Sequence, residues 1–168
     1  MIAVLNDPAR FAVFKPLAMR SLCMESVDFV MTVLKYKKDA AEFMINTSES
    51  ANNLLKERAK EIMARYIAAN SEDEVNISSK VRAATENHIR GWESDSPFLS
   101  VLDVQVVLER DTAKRVNTFD AAFKEVIVML YQNLWNKFRT EEAQLLCAAD
   151  TGRYAGSRKS AYAVDDVR

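Results

Sequence analysis

The stretch that decides how this chain folds is RYIAANSEDEVNISSKVRAAT, residues 65–85. Both ends carry helical apolar spacing, and the eight residues between them, SEDEVNIS (71–78), interrupt it. The interruption is short and acidic. It closes on an extended-looking Val75-Asn76-Ile77, followed by Ser78 and Ser79. On physical grounds this is a turn between two helices, and Ser78 or Ser79 offers a hydroxyl to cap the second one. Val75 and Ile77 are its anchors. A loop pinned to the core on both sides of one polar residue holds that side chain still.

Reading upstream, Ser48 or Ser50 can cap a helix running to about Ala69. Its apolar stripe is Leu54 or Leu55, Ala59, Ile62, Met63, Tyr66 and Ile67. Residues 39–47 read as helix and then loop. From Glu25 to Lys38 one helical face holds Val27, Val30, Met31 and Leu34, joined by Tyr36. Residues 9–20 place Phe11, Phe14, Leu17 and Ala18 at helical spacing behind Pro8, which suits a first turn.

Reading downstream, the helix after the turn runs towards Ile89, and ESDSPFLS (93–100) is a loop around Pro97. VLDVQVVLER (101–110) fits a short strand or a buried helix; with no strand partner elsewhere, helix is favoured. Thr118 is positioned to cap a last long helix lined by Phe119, Ala122, Phe123, Val126, Ile127, Met129, Leu130 and Leu134. The helix continues to about Ala149, and the remainder reads as a mobile tail.

Composition agrees with an all-α chain. In 168 residues there are only 3 Gly and 3 Pro, too few turn-formers for a many-stranded sandwich or barrel. The 23 basic and 24 acidic residues give a formal charge of −1, so no nucleic-acid footprint is expected. No apolar run has the length of a transmembrane segment. Cys23 and Cys147 lack metal or redox spacing and read as reduced thiols. His88, the one histidine, cannot build a metal site or a catalytic triad alone. There is no Gly-rich phosphate loop and no Gly-x-Ser-x-Gly. Carboxylate pairs such as Glu141-Glu142 read as solvated helix faces. No cofactor, no metal and no catalytic residues are expected; a helical binding module is.

Three blocks, in order, make the expectation specific. FAVFKPLAMRSLCMESVDFVMTVLKYKK (11–38) resembles a phenylalanine-anchored helix, then Glu-Asn-apolar-x-Phe-Trp, then a Tyr-Lys-Lys close. AKEIMARYIAANSEDEVNISSKVRAAT (59–85) is similar to an Ile-Tyr helix, then Glu-Val-Asn-(Ile/Leu), then a helix with Arg and Thr. TFDAAFKEVIVMLYQNLWNKF (118–138) is similar to Phe-Asp-x-Ala, continuing to Asp-Ser-Tyr-x-Arg-Phe. Together they resemble the regulator of G-protein signalling (RGS) domain family.

The resemblance implies an RGS-type helical bundle of two helical subdomains over residues 1–140. It also implies an insertion at about 90–115 before the last long helix, and a helical extension and tail over 141–168. The implied partner is the α subunit of a heterotrimeric G protein, Gα, in its transition-state form, whose GTP hydrolysis the domain accelerates. Such domains add no catalytic side chain, because Gα carries its own arginine and water-orienting glutamine. The implied setting is a larger signalling protein, cytoplasmic and recruited to the inner face of the plasma membrane.

Carried over position by position, the implied Gα contacts are Glu25, Ser26, Glu74, Asn76, Ser79, Arg82, Met129, Asn133, Leu134 and Lys137. Glu25 matches the family glutamate and Ser26 stands at its Asn. Asn76 matches the loop asparagine that reaches towards the switch residues of Gα. Asn133 stands where the family has Asp, Leu134 where it has Ser and Lys137 where it has Arg. An amide in place of a carboxylate loses charge assistance, and lysine lacks the planar fork of arginine. Val30 stands where the family has tryptophan, a space that Trp92 or Trp135 could fill. These departures keep a second reading open: an RGS-homology interaction or scaffold domain with weak or no acceleration.

Overall fold

In the computed structural model, which describes residues 1–45, 49–94 and 115–159, helices begin where local chemistry lets them. Helix α1 (Ile2–Leu5) is a single turn that buries Val4 and Leu5. Helix α2 (Pro8–Arg20) starts at Asp7, whose carboxylate accepts the amide hydrogens of Ala9 and Arg10 at 2.9 and 3.2 Å. Pro8 takes the first helical position, where a missing N–H costs nothing. Helices α3 (Met24–Ile45) and α4 (Glu49–Ile62) follow, and a π-helical turn (Met63–Ile67) closes α4. Helices α5 (Ser79–Ser94) and α6 (Asp120–Lys159) complete the described elements. Among the described residues there is no strand, and the all-α expectation holds.

Several boundaries differ from those the sequence suggests. Helix α3 runs past the Lys35–Lys38 cluster to Ile45, so most of the 39–47 stretch read as helix and then loop is helix. Helix α5 passes Ile89 and ends at Ser94, so the expected insertion at 90–115 begins in helix. Residues 95–114 of it, with the Pro97 loop and the 101–108 segment, lie outside the described residues. Thr118 is not the cap of α6: its hydroxyl donates backwards to the Arg115 carbonyl at 2.7 Å, and the helix starts at Asp120. Helix α6 continues past Ala149 to Lys159. Lengthening an existing helix adds one hydrogen bond per residue without a new nucleus, so Gly152 and Gly156 do not stop it.

The chain folds into two compact units. One comprises Met1–Leu22 with the chain from Tyr131 onward; the other is Cys23–Leu130. Two helical subdomains were expected from the family resemblance, and helix α6 contributes its first eleven residues to the second unit.

In the Cys23–Leu130 unit, α4 packs against α3 and α5. The buried face of α3 holds Val27, Phe29, Val30, Val33, Tyr36 and Ala40. Met31 and Leu34, expected on that face, are half-exposed at its edge. Leu55 rather than Leu54 enters the core, followed by Ala59, Ile62, Tyr66 and Ile67 as the period requires. Phe119, just before α6, and Ala122, Val126 and Leu130 in its first part are buried as well. Trp92 is buried against the His88 ring at 5.7 Å, with the Arg115 guanidinium 5.5 Å from its centroid. Burial pushes the Tyr36 hydroxyl well above the ordinary tyrosine range, and it donates to the Arg115 carbonyl at 2.9 Å.

In the other unit, Phe14 meets Phe138 edge-on at 5.6 Å, and Leu17, Ala18 and Leu134 are buried. Glu141 and Glu142 do not simply solvate an outer face. Glu142 takes both Nε (2.7 Å) and a terminal nitrogen (3.2 Å) of Arg10, while Glu141 pairs with Arg20 at 2.6 Å. The Arg10 guanidinium also lies 5.7 Å from the Phe138 centroid, and its hydrogen bonds to Glu142 raise its pKa further. Helix α6 is thereby fastened to α2 beyond residue 140.

Candidate functional site

The best-built polar feature of the Cys23–Leu130 unit is the loop that carries Asn76. It starts from the way α4 ends. In the π-helical turn the Ala68 amide donates to the Met63 carbonyl at 2.8 Å, and Ala68 then turns extended at φ −58°, ψ 142°. A helix end leaves its last carbonyls without partners inside the helix. Here three successive ones are used to hold the loop. The Arg65 carbonyl accepts the Asp73 amide at 3.3 Å, and the Tyr66 carbonyl accepts the Val75 amide at 2.9 Å. The Ile67 carbonyl accepts the Arg82 guanidinium.

Side chains complete the fastening. Arg82 also donates to Glu74 at 2.6 Å, and the other oxygen of Glu74 accepts the Asn70 amide at 2.7 Å. Asn70 has φ +61°, a left-handed conformation that asparagine tolerates better than most residues. Arg65 pairs with Asp73 at 2.7 Å, and that hydrogen bond raises the arginine's pKa above its ordinary value. Tyr66 is buried with its ring 5.7 Å from Phe29. Val75 is fully buried and Ile77 nearly so, while Asn76 between them is exposed. Among the described residues the Asn76 side chain has no hydrogen-bond partner. The anchors stand as the sequence suggests, and the amide they flank is presented outward.

At the far end of the loop Ser78 precedes α5. Its hydroxyl lies 3.4 Å from the Val81 amide, and its carbonyl accepts the Arg82 amide at 3.0 Å, the first turn of the helix. Glu125, on α6, accepts both the Ser78 amide (2.7 Å) and the Ser78 hydroxyl (2.8 Å). Of the two candidate caps it is Ser78 that occupies the capping position; Ser79 begins the helix and is exposed.

The expected contact residues fall into distinct groups. Asn76 and Ser79 are exposed on the loop and the start of α5. Glu74 and Arg82 are paired with each other and with backbone, so they brace Asn76 more than they offer free groups. Glu25 is half-exposed in the first turn of α3 and accepts the Ser26 hydroxyl at 3.4 Å. Ser26, at 1% exposure, is a core residue and presents no contact surface. Met129 is half-buried on α6. In the other unit Asn133 and Lys137, four apart on α6, are exposed. Leu134 between them is fully buried, so its bulk fills core and does not reach a partner. A leucine there reads as core once the 126-130-134-138 period is extended through it.

Two positions escaped the reading of the sequence. Arg65 and Glu125 hold the loop from outside it, one eight residues before its partner and the other forty-seven residues after. The i,i+8 spacing of Arg65 and Asp73 across a turn matches no helical pattern, and nothing in the sequence around Glu125 marks it.

Among the described residues no group of His, Cys, Asp and Glu is arranged to hold a metal ion, and no helix is long and apolar enough to cross a membrane. The sequence profile of the Regulator of G protein signaling domain matches residues 1–143 of the chain. At the level of single sequences, no curated protein matches it.

Proposed function

The chain belongs to the regulator of G-protein signalling domain family, and from that premise we propose that it binds Gα and accelerates GTP hydrolysis, so ending G-protein signalling. The observation that carries this reading is Asn76: exposed, without a hydrogen-bond partner among the described residues, and flanked by buried neighbours and bonded backbone on both sides. With the backbone fixed on both sides, only the side-chain rotamer of Asn76 remains to be ordered when its amide bonds a switch segment. That is what catalysis by preorganisation requires. The domain contributes no reacting group; it favours the switch conformation that the phosphoryl-transfer state needs. Asn76, Ser79, Glu25 and Met129 are the contact residues on the Cys23–Leu130 unit, with Glu74 and Arg82 as supports. Asn133 and Lys137 are contacts on the other unit. The domain works on the cytoplasmic face of the plasma membrane within a larger signalling protein.

A second reading has a specific observation behind it. Asn133 and Lys137 both weaken the polar set that the family resemblance implies, and the Leu134 side chain is committed to the core. A domain that binds Gα without accelerating it, serving as a scaffold, would tolerate those changes. Binding to Gα·GDP with and without aluminium fluoride separates the two, since the fluoride complex mimics the transferring phosphoryl group. The accelerating domain binds the fluoride form more tightly, by tenfold or more on the order of magnitude expected for transition-state mimics. Equal binding to both forms would leave the scaffold.

A further inference from the structure

Among the described residues the double hydrogen bond from Ser78 to Glu125 spans more sequence than the loop's other hydrogen bonds given above, and it reaches the loop from α6. Ser78 has one hydroxyl hydrogen. Because Glu125 takes it at 2.8 Å, the lone pairs of that oxygen are left to face the Val81 amide at the start of α5. The second carboxylate oxygen takes the Ser78 amide at 2.7 Å, one of the donors that a helix start leaves open. A negative charge is also favoured at a helix N-terminus. One carboxylate thus sets the backbone direction two residues after Asn76, while the Tyr66 carbonyl sets it one residue before.

We propose that Glu125 is a positioning residue that acts on Gα through Asn76, by locking Ser78 and hence the exit of the loop. This inference rests on the GTPase-accelerating reading given above. Glu125 touches neither nucleotide nor reacting atoms. Ile77, buried between Asn76 and Ser78 in the chain, keeps the short backbone segment that joins them against the core. Releasing Ser78 leaves Asn76 exposed but free to turn away, so affinity for the transition-state form falls more than affinity for the ground-state form.

The test uses the full chain with Glu125→Ala, Glu125→Gln, Asn76→Ala and the double variant Glu125→Ala/Asn76→Ala. Single-turnover GTP hydrolysis by Gα and amide hydrogen exchange of the free domain are both read. Glu125→Ala is expected to lower the acceleration roughly three- to tenfold, the loss of one or two bonds to a charged group at an exposed site. Glu125→Gln, which keeps one acceptor for the Ser78 amide, recovers part of it. In the Asn76→Ala background the same change has no further effect, because the group it positions is gone. The Ser78 amide exchanges faster in Glu125→Ala, while amides within α3 and α4 keep their protection. An equal loss in both backgrounds, or an unchanged Ser78 exchange rate, overturns the proposal. A wild-type domain that accelerates no Gα overturns the GTPase reading and the positioning role with it; exchange at Ser78 then decides alone whether Glu125 holds the loop.

Discussion

The Asn76 loop and the Asn133–Lys137 stretch of α6 were both expected to meet Gα, yet they are built in opposite ways. Around Asn76 the backbone leaves the helix, and the loop that presents this one exposed side chain is held by three carbonyls, two ion pairs and two buried anchors. At Asn133 and Lys137 there is only a regular helix face, with Leu134 buried behind it. A helix face costs nothing special to maintain, so its exposed positions can change freely. A braced loop is a cooperative construction in which many residues serve one. The contrast teaches how a side chain is positioned: in the loop by supporting residues, and on the helix by the helix backbone alone.

The largest effect that tests this contrast is on stability. Leu134→Ala should cost about 2–5 kcal/mol in denaturant unfolding, the range for emptying a packed leucine site. Asn133→Ala, one residue away, should stay within about 0.5 kcal/mol, as exposed substitutions do. If the two cost the same, Leu134 is not the core residue its burial indicates.

Smaller effects are expected on function. Asn133→Asp with Lys137→Arg restores a charged acceptor and a planar fork to the helix face. Single-turnover acceleration should rise about three- to tenfold, the difference between neutral and charge-assisted bonds of roughly 1 kcal/mol. An unchanged rate would mean that this face does not meet Gα.

The smallest effect lies away from both regions, at the Tyr36 hydroxyl inside the Cys23–Leu130 unit. Burial holds this group neutral, so its folded pKa is raised above the unfolded value near 10. Its contribution is therefore fully present below about pH 10 and is lost as the pH rises further, because the unfolded chain gives up the proton first. Unfolding midpoints should fall from about pH 10 upward, and Tyr36→Phe should flatten that decline. At neutral pH the same variant should cost about 1 kcal/mol for the lost bond to the Arg115 carbonyl.

Much of the fold was legible because burial in a helical protein follows a short period. Phe14-Leu17-Ala18, Ala59-Ile62-Tyr66 and Ala122-Val126-Leu130-Leu134 were all readable as stripes, and all are buried. On α3 the stripe was misplaced by a fraction of a turn: Phe29 and Val33 are core, while Met31 and Leu34 stand at its edge. Dense apolar sequence there gives several nearly equal stripes, and packing against α4, Tyr66 and Phe119 chooses among them. The anchors Val75 and Ile77 were legible as apolar residues flanking a polar one. What holds them was not. The π-helical turn, the left-handed Asn70 and the Glu125–Ser78 bonds depend on chain geometry and on partners distant in sequence. Glu141 and Glu142 were read as solvated for the same reason, since their arginines lie on α2, more than a hundred residues away.

The central claim is that a braced Asn76 makes this domain an accelerator of Gα. Single-turnover GTP hydrolysis by Gα, measured with the wild-type domain and with Asn76→Ala, tests it most directly. The account predicts a faster rate with the wild-type domain and a loss of about tenfold or more of that acceleration in Asn76→Ala, with unfolding stability unchanged. An Asn76→Ala domain that accelerates as well as the wild type would contradict it.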